Sequence, residues 1–284
     1  MSSEPDGGDI DPRRAMWRRG SYEIAGDWVR PASLSVLDRL EEVSGSIDGR
    51  RLLDAATGTG AVAIEAARRG AVVVGVDLTD ELVDIGRHRA AEAGVEVRLA
   101  IGDFDRLDEV IGDAVFDVIT SSFGVIFAPD PPTTLAGFDR LLAPDGLVGV
   151  TGWDPDGVMM VPDTLLELLP QRPVMPDMST WTTAVGPFAA DGGFEVAAAV
   201  ADDLVIRFAS VADAAEQLER WSGGWAQLLE TFDSLGVGGE ARARLVEHLA
   251  AFSTTQEKGI GLCARFHTSV LRRIEPPVSG AGVG

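Results

Sequence analysis

Between residues 51 and 153 short aliphatic runs alternate with amphipathic stretches of helical period, and that alternation leaves few folds open. The runs at 51–56, 71–76, 95–101, 115–121 and 147–153 read as strands. The second is almost wholly aliphatic, as a parallel strand covered on both faces must be. Stretches 60–69, 79–93 and 132–142 read as helices between them, with a shorter helical connection after the third strand and a turn at Pro144-Asp-Gly146. Alternation at this spacing predicts an α/β chain with a doubly wound, mostly parallel sheet. Two further strands, near 194–208 and 260–271, bring the expected number to seven.

The flanks differ in character from this core at 49–155. Residues 1–12 read as a disordered leader, 13–48 as a helical cap broken at Pro31, and 275–284 as a disordered tail. After Trp153 the composition shifts: residues 153–188 hold six of the 15 prolines and four of the six methionines. That stretch is too rich in proline for a regular element and too apolar for a solvated linker. It is expected to fold over the carboxyl edge of the sheet, so that 156–258 comprises lid insertions, helices at 210–232 and 240–256, and one sheet strand. The final strand falls within 259–274.

The 45 acidic side chains against 24 basic ones, a net charge of −21, speak against a nucleic-acid partner or an anionic membrane surface. No run of about 18 apolar residues is present. A single cysteine, Cys263, can form neither an internal disulfide nor a thiolate metal cluster, which points to a reducing, cytoplasmic setting. Lys258 is the only lysine, a bias that fits a GC-rich bacterial genome.

The chemistry sits at the ends of the first three strands. Asp54-Ala-Ala-Thr-Gly-Thr-Gly60 runs a strand into a small-residue turn and at once into a helix. Gly58 and Gly60 allow close approach of a ligand, and the free N–H groups at the helix start can hold an anion. Gly58-x-Gly60-x-x-Ala63 also fits a dinucleotide fingerprint, so NAD(P)-dependent oxidoreduction is the competing reading. Three carboxylates weigh against it. Asp54 precedes the glycines, Asp77 closes the second strand where it can accept both ribose hydroxyls, and Asp103 closes the third where it can take an adenine amino group. Each has a plainer role too: Asp54 as a support of the turn, Asp77 as a turn residue, Asp103 as a helix cap.

With these residues the sequence resembles the class I S-adenosylmethionine-dependent methyltransferases, in particular their UbiE-like small-molecule branch. The likeness continues through Gly75-Val-Asp77-Leu-Thr, Gly102-Asp103-Phe104, Phe116-Asp117-Val-Ile-Thr-Ser121-Ser-Phe-Gly124, Phe127-Ala-Pro-Asp130, Leu141-Leu-Ala-Pro-Asp-Gly146 and Thr151-Gly-Trp153. It covers about residues 13–155 well, and Gly192-Gly-Phe194 and Phe208-Ala-Ser210 loosely. One position departs from the pattern: Ala56 stands where the family's first glycine is usual. The resemblance implies a Rossmann-like methyltransferase fold with S-adenosylmethionine as cofactor and S-adenosylhomocysteine as product. It assigns Asp77 and Leu78 to the ribose side, and Gly102, Asp103 and Phe104 to the adenine. Thr57, Gly58 and Gly60 would face the methionine part, Ser121 and Phe123 would lie near the sulfonium, and Asp54 and Ala56 complete the cofactor-binding set. An N-terminal aromatic, Tyr22 or Trp28, would lie over the cofactor.

The acceptor is expected to be small and largely apolar, because Trp153, Met159, Met160 and Trp181 lie at the fifth strand's edge or in the insertion facing it. Secondary-metabolite tailoring fits such an acceptor, by O-, N- or C-methylation. A base is needed if the acceptor is a neutral hydroxyl, amine or carbon acid. His267, in the last strand, and Asp154, just past the fifth, are the candidates; His88 reads as solvent-facing and His248 as structural. No cluster with metal-ligand spacing is evident, so no metal is expected. Trp221 and Trp225 read as core of the added helices. A cyclase or binding protein on the same fold is a third reading, and a homodimer is left open.

Overall fold

The computed structural model describes residues 12–274; the leader and tail expected at the two ends lie outside the described residues, except Pro12, which begins the first helix. Eight strands form one sheet: β1 (Arg51–Ala55), β2 (Val72–Asp77), β3 (Val97–Ile101), β4 (Phe116–Ser122), β5 (Leu142–Trp153), β6 (Phe194–Phe208), β7 (Ser253–Thr255) and β8 (Ile260–Arg273). Their order is β3-β2-β1-β4-β5-β8-β6, with β7 paired to β8 outside that path. The first five are parallel, while β8 enters antiparallel to β5, and β6 antiparallel to β8. Strand order reverses beside β1, so the carboxyl ends of β1 and β4 flank the crevice where α/β sheets take their ligands.

Central β1 and β4 bury Leu52, Leu53, Val118 and Ile119 completely. The helices Ala61–Arg68, Asp80–Ala93 and Pro131–Leu141 supply the crossovers. Asp130 caps the last of these by accepting from the Thr133 N–H, with proline in the first turn where a missing N–H costs nothing. Three helices, Val211–Trp221, Gly223–Ser234 and Gly238–Ala251, pack on one another beyond β6 and bury Trp225, Leu229, Phe232 and Leu245. No helix among the described residues is long and apolar enough to cross a membrane.

Several boundaries differ from the sequence expectation. The N-terminal helix does not break at Pro31: Tyr22–Ser44 is continuous, with Pro31 on its exposed side. The break falls at Gly20-Ser21. A Cβ on Gly20 would come 2.5 Å from the Tyr22 ring and 2.6 Å from the Trp221 carbonyl, so close packing there sets the corner. The helix expected over 240–256 stops at Ala251, and Ser253–Thr255 pairs with β8 as an eighth strand. Pro144-Asp-Gly146 lies within β5, where pairing jumps from Phe116 opposite Leu142 to Val118 opposite Leu147.

Helix Tyr22–Ser44 crosses the sheet over Gly149 of β5, whose Cβ would stand 2.6 Å from Val36 Cγ2 and 3.1 Å from Leu40 Cδ1. Gly149→Ala is therefore expected to destabilise the fold by about 1–3 kcal/mol by pushing that helix off the sheet. Gly137→Ala, at a half-buried position of helix Pro131–Leu141 with only the Arg140 tip near its Cβ, serves as control and should be neutral or stabilising. Urea unfolding of both variants checks this.

Candidate active site

The turn after β1 depends on three residues with positive φ: Ala56 at +59°, Gly58 at +56° and Gly60 at +81°. Glycine adopts this region freely, whereas Ala56 carries a Cβ into it at a cost of roughly 1–2 kcal/mol. That Cβ occupies the place where a side chain on Gly124 would sit, since a Cβ built on Gly124 would lie 2.2 Å from it. Alanine at 56 thus requires glycine at 124. Phe123, beside it, is the other non-glycine residue at positive φ among those described, at +58°. Strained backbone therefore gathers at the carboxyl ends of β1 and β4, facing the crevice.

Two buried carboxylates hold the turn. Asp54 accepts from Thr57 Oγ1 at 2.6 Å and from Thr120 Oγ1 at 2.8 Å. Asp77, at the end of β2, accepts from the Gly58 N–H at 2.8 Å and the Thr79 N–H at 2.9 Å. Burial raises the Asp77 pKa, against these two N–H bonds that favour the anion. The Asp77–Gly58 bond joins two elements that sequence reading could only suppose to be neighbours. Asp103 accepts from the Asp105 N–H at 3.1 Å, and its other oxygen pairs with Arg13. It is thus the cap of a short turn, as the plainer reading had it, and also half of an ion pair.

These residues fit a nucleoside. A Cβ on Gly58 would meet nothing within 4 Å, so space is open in front of the turn. Thr79 Oγ1, next to Asp77 in the chain, is buried and has no hydrogen-bond partner among the described residues. Thr79 also lines a cavity of about 200 Å³ with Trp17, Tyr22, Leu82 and Ile85. The Tyr22 hydroxyl accepts from the Gly223 N–H at 2.9 Å, and burial pushes its pKa to about 12. Leu78 offers its carbonyl to Arg14 Nε at 3.0 Å. Gly102 admits no side chain, because a Cβ would strike Val110 at 2.2 Å, and Phe104 packs against the core.

Four sequence-based assignments change. The Thr57 hydroxyl turns inward to Asp54 rather than toward a ligand. Ser121 is fully buried, and its hydroxyl accepts from the Val125 N–H at 3.1 Å. Trp28 packs edge-on to Phe208 at 5.1 Å and against Trp221 at 4.0 Å, so the helical layer claims it. Trp181, 1 % exposed, is a core residue set edge-on against Phe188, with its indole N–H unpartnered. Thr57 and Ser121 are claimed by residues three and four positions away, Trp181 by Phe188 and Trp28 by residues from the far end of the chain.

Other assignments meet at one edge. Phe123 stacks on Trp153 with centroids 4.1 Å apart, and Phe266 lies beyond at 6.5 Å. Met159 and Met160 pack partly buried against the same core. His267 Nε2 is 2.8 Å from Asp154 Oδ2, both side chains being about four-fifths buried. Partial burial works to raise the Asp154 pKa, yet the hydrogen bond from His267 and the Asp156 N–H hold it below the ordinary value. His267 stands between Gly152 of β5 and Ala201 of β6 in the sheet register. His88 is exposed beside Glu92, and His248 bonds the Val158 carbonyl at 3.1 Å. Sequence reasoning missed Thr120, Gly124 and the arginines of the first helix. The run Arg13-Arg-Ala-Met-Trp-Arg-Arg19 in so acidic a chain was a legible signal for the last of these.

Comparison with known proteins agrees with this geometry. Residues 52–146 match a family model described as a methyltransferase domain. The nocamycin O-methyltransferase of Saccharothrix syringae is 38% identical over 140 residues, 47% of each chain. An uncharacterized protein of Mycobacterium tuberculosis is 35% identical over 144 residues, 51% of each chain. The chain thus spans about half the length of the curated relatives it matches. Among solved structures, YcgJ of Bacillus subtilis superposes with a TM-score of 0.56 at 19% identity, covering 85% of this chain and 99% of that one. A methyltransferase of Thiobacillus denitrificans, solved with S-adenosylhomocysteine, gives 0.51 at 18% identity, covering 84% and 91%. At such identities the likeness is one of fold.

Burial pushes the Asp54 pKa up to about 6, with the Thr57 and Thr120 hydroxyls working in the opposite direction. The folded chain then holds this proton more firmly than the unfolded one. The contribution is most favourable below pH 4, declines as pH rises toward 6 and is level above. Asp54→Asn removes the titration. The stability of wild type relative to this variant should fall by on the order of 2 kcal/mol between pH 4 and 7, measured by urea unfolding. A flat difference would mean that the two hydroxyls suffice to keep the carboxylate ionised.

Proposed function

We propose that this protein, whose residues 52–146 match a methyltransferase domain, is a class I S-adenosylmethionine-dependent methyltransferase that methylates a hydroxyl group on a small, largely apolar metabolite. The observation that carries the cofactor half is the Asp77–Gly58 bond, which joins the ribose-side carboxylate to the glycine turn. The hydroxyl half is supported by the His267–Asp154 pair at the same end of β5 as the Phe123–Trp153 stack, and by the relative named for O-methylation.

When bound, S-adenosylmethionine supplies a methyl group on a sulfonium, whose departure as a neutral thioether needs no proton. The chain's own residues then have three tasks. Asp77 accepts from the ribose hydroxyls and Asp103 from the adenine amino group. The first-turn N–H groups of helix Ala61–Arg68 face the methionine carboxylate, those of Thr57, Gly58 and Gly60 being taken by the Val76 carbonyl, Asp77 and the Thr57 carbonyl. Phe123, Trp153 and Phe266 wall the crevice with rings that exclude water and position the acceptor. Asp154 accepts the Nε2–H of His267, which leaves the lone pair on Nδ1 to take the acceptor's hydroxyl proton as the oxygen attacks. Secondary-metabolite tailoring in a bacterial cytoplasm is the setting this reading favours.

Calorimetry with S-adenosylhomocysteine and, separately, NAD tests the cofactor assignment. S-adenosylhomocysteine is expected to bind and NAD not to; the reverse would establish the oxidoreductase reading. Asp77→Ala should weaken S-adenosylhomocysteine by about 1–3 kcal/mol, through loss of hydrogen bonds to a charged acceptor.

His267→Gln should lower kcat for a hydroxyl acceptor by about 10²–10⁴ while leaving S-adenosylhomocysteine affinity unchanged. S-adenosylhomocysteine release with a panel of small phenols and alcohols reads this out. Unchanged kcat would remove His267 from the chemistry.

A further inference from the structure

The first helix, Pro12–Arg19, lays Arg13, Arg14 and Arg18 along the carboxyl ends of β2 and β3, while Arg19 pairs with Glu230. Arg18 pairs with Asp80 at 2.6 Å and Glu81 at 3.0 Å, Arg14 bonds the Leu78 carbonyl, and Trp17 packs edge-on to Phe127 at 4.9 Å. Arg13 differs from its neighbours, because its guanidinium is set between two carboxylates. It pairs with Asp103, whose side chain is 6% exposed, and reaches Asp105 Oδ2 at 3.5 Å. Thr134 Oγ1 fixes the other oxygen of Asp105 at 2.6 Å. Asp103 has one oxygen bonded to the Asp105 N–H and the other paired with Arg13, so a further donor at Asp103 must share an oxygen with one of them.

We propose that Arg13 competes with the adenine amino group of the cofactor for Asp103, and that Asp105 is the second seat to which the guanidinium moves. The competition rests on the reading of Asp103 as the adenine-side carboxylate. Asp103 exchanges a cation for a neutral N–H donor when adenine arrives. That exchange costs affinity unless the displaced cation keeps a carboxylate partner. Asp105, already within reach, provides it, and the anchors at Arg14, Trp17 and Arg18 let the helix stay in place while one side chain turns. The device tunes cofactor affinity downward and makes it depend on a residue that does not bind the nucleoside.

Calorimetry on full-length Arg13→Gln, Asp105→Asn and the double variant tests this. Arg13→Gln should tighten S-adenosylhomocysteine about fivefold, within the range of a partly exposed ion pair. It should bring no gain for the 6-oxo analogue S-inosylhomocysteine, whose exocyclic carbonyl oxygen accepts where the adenine amino group donates. Asp105→Asn should weaken S-adenosylhomocysteine in the presence of Arg13 and have no effect in Arg13→Gln. Weaker binding by Arg13→Gln, or an Asp105→Asn effect that persists without Arg13, would overturn the competition and make Arg13 a support of the site. Failure of the wild-type chain to bind S-adenosylhomocysteine at all would instead overturn the methyltransferase reading, and the competition with it. Unchanged affinity in Arg13→Gln would overturn the competition alone.

Discussion

The backbone reversal after β1 is the constraint on which the remainder depends. A buried central strand must end, turn and start a helix within five residues, and it does so through three residues at positive φ. Such a turn is not stable by itself. Asp54 ties it inward to Thr57 and, across the sheet, to Thr120 of β4, while Asp77 ties it sideways from β2. The carboxylates are expensive to bury, and each repays this by satisfying donors that would otherwise be lost in the interior.

The same reversal explains residues at a distance in sequence. Ala56 at positive φ fills the volume opposite β4, so the chain there takes glycine at 124 and turns sharply at Phe123. That turn sets the Phe123 ring flat on Trp153 at the end of β5. Antiparallel β8 then brings His267 opposite Gly152, one residue from Trp153, where Asp154 meets it. Turn, aromatic wall and His–Asp pair are thus successive consequences along β1, β4, β5 and β8 of where the sheet ends.

Strand–helix alternation was legible because a doubly covered strand and an amphipathic helix have different periods, and the five parallel strands fell near where the aliphatic runs place them. The corner at Gly20-Ser21 was not legible, since it is set by the Trp221 carbonyl some 200 residues on; Pro31, the obvious local breaker, sits on an exposed helix face and interrupts nothing. Asp77 and Asp103 were legible as carboxylates at strand ends. Their present partners, Gly58 and Arg13, were not, because hydrogen bonds between separate segments leave no mark in local composition.

By itself, then, the sequence determined the order of elements, the small-residue turn and the carboxylates at three strand ends, because these follow from local period, residue size and position in the chain. Only the tertiary structure decided which polar atoms remain available. It turned Thr57 and Ser121 inward, sent Trp28 and Trp181 to the core, paired His267 with Asp154 and set Arg13 on Asp103. The physical reason is the same throughout: a buried donor, acceptor or ring takes whichever partner packing delivers, a near neighbour in the chain for Thr57, Ser121 and Trp181 and a distant segment for Trp28, His267 and Arg13.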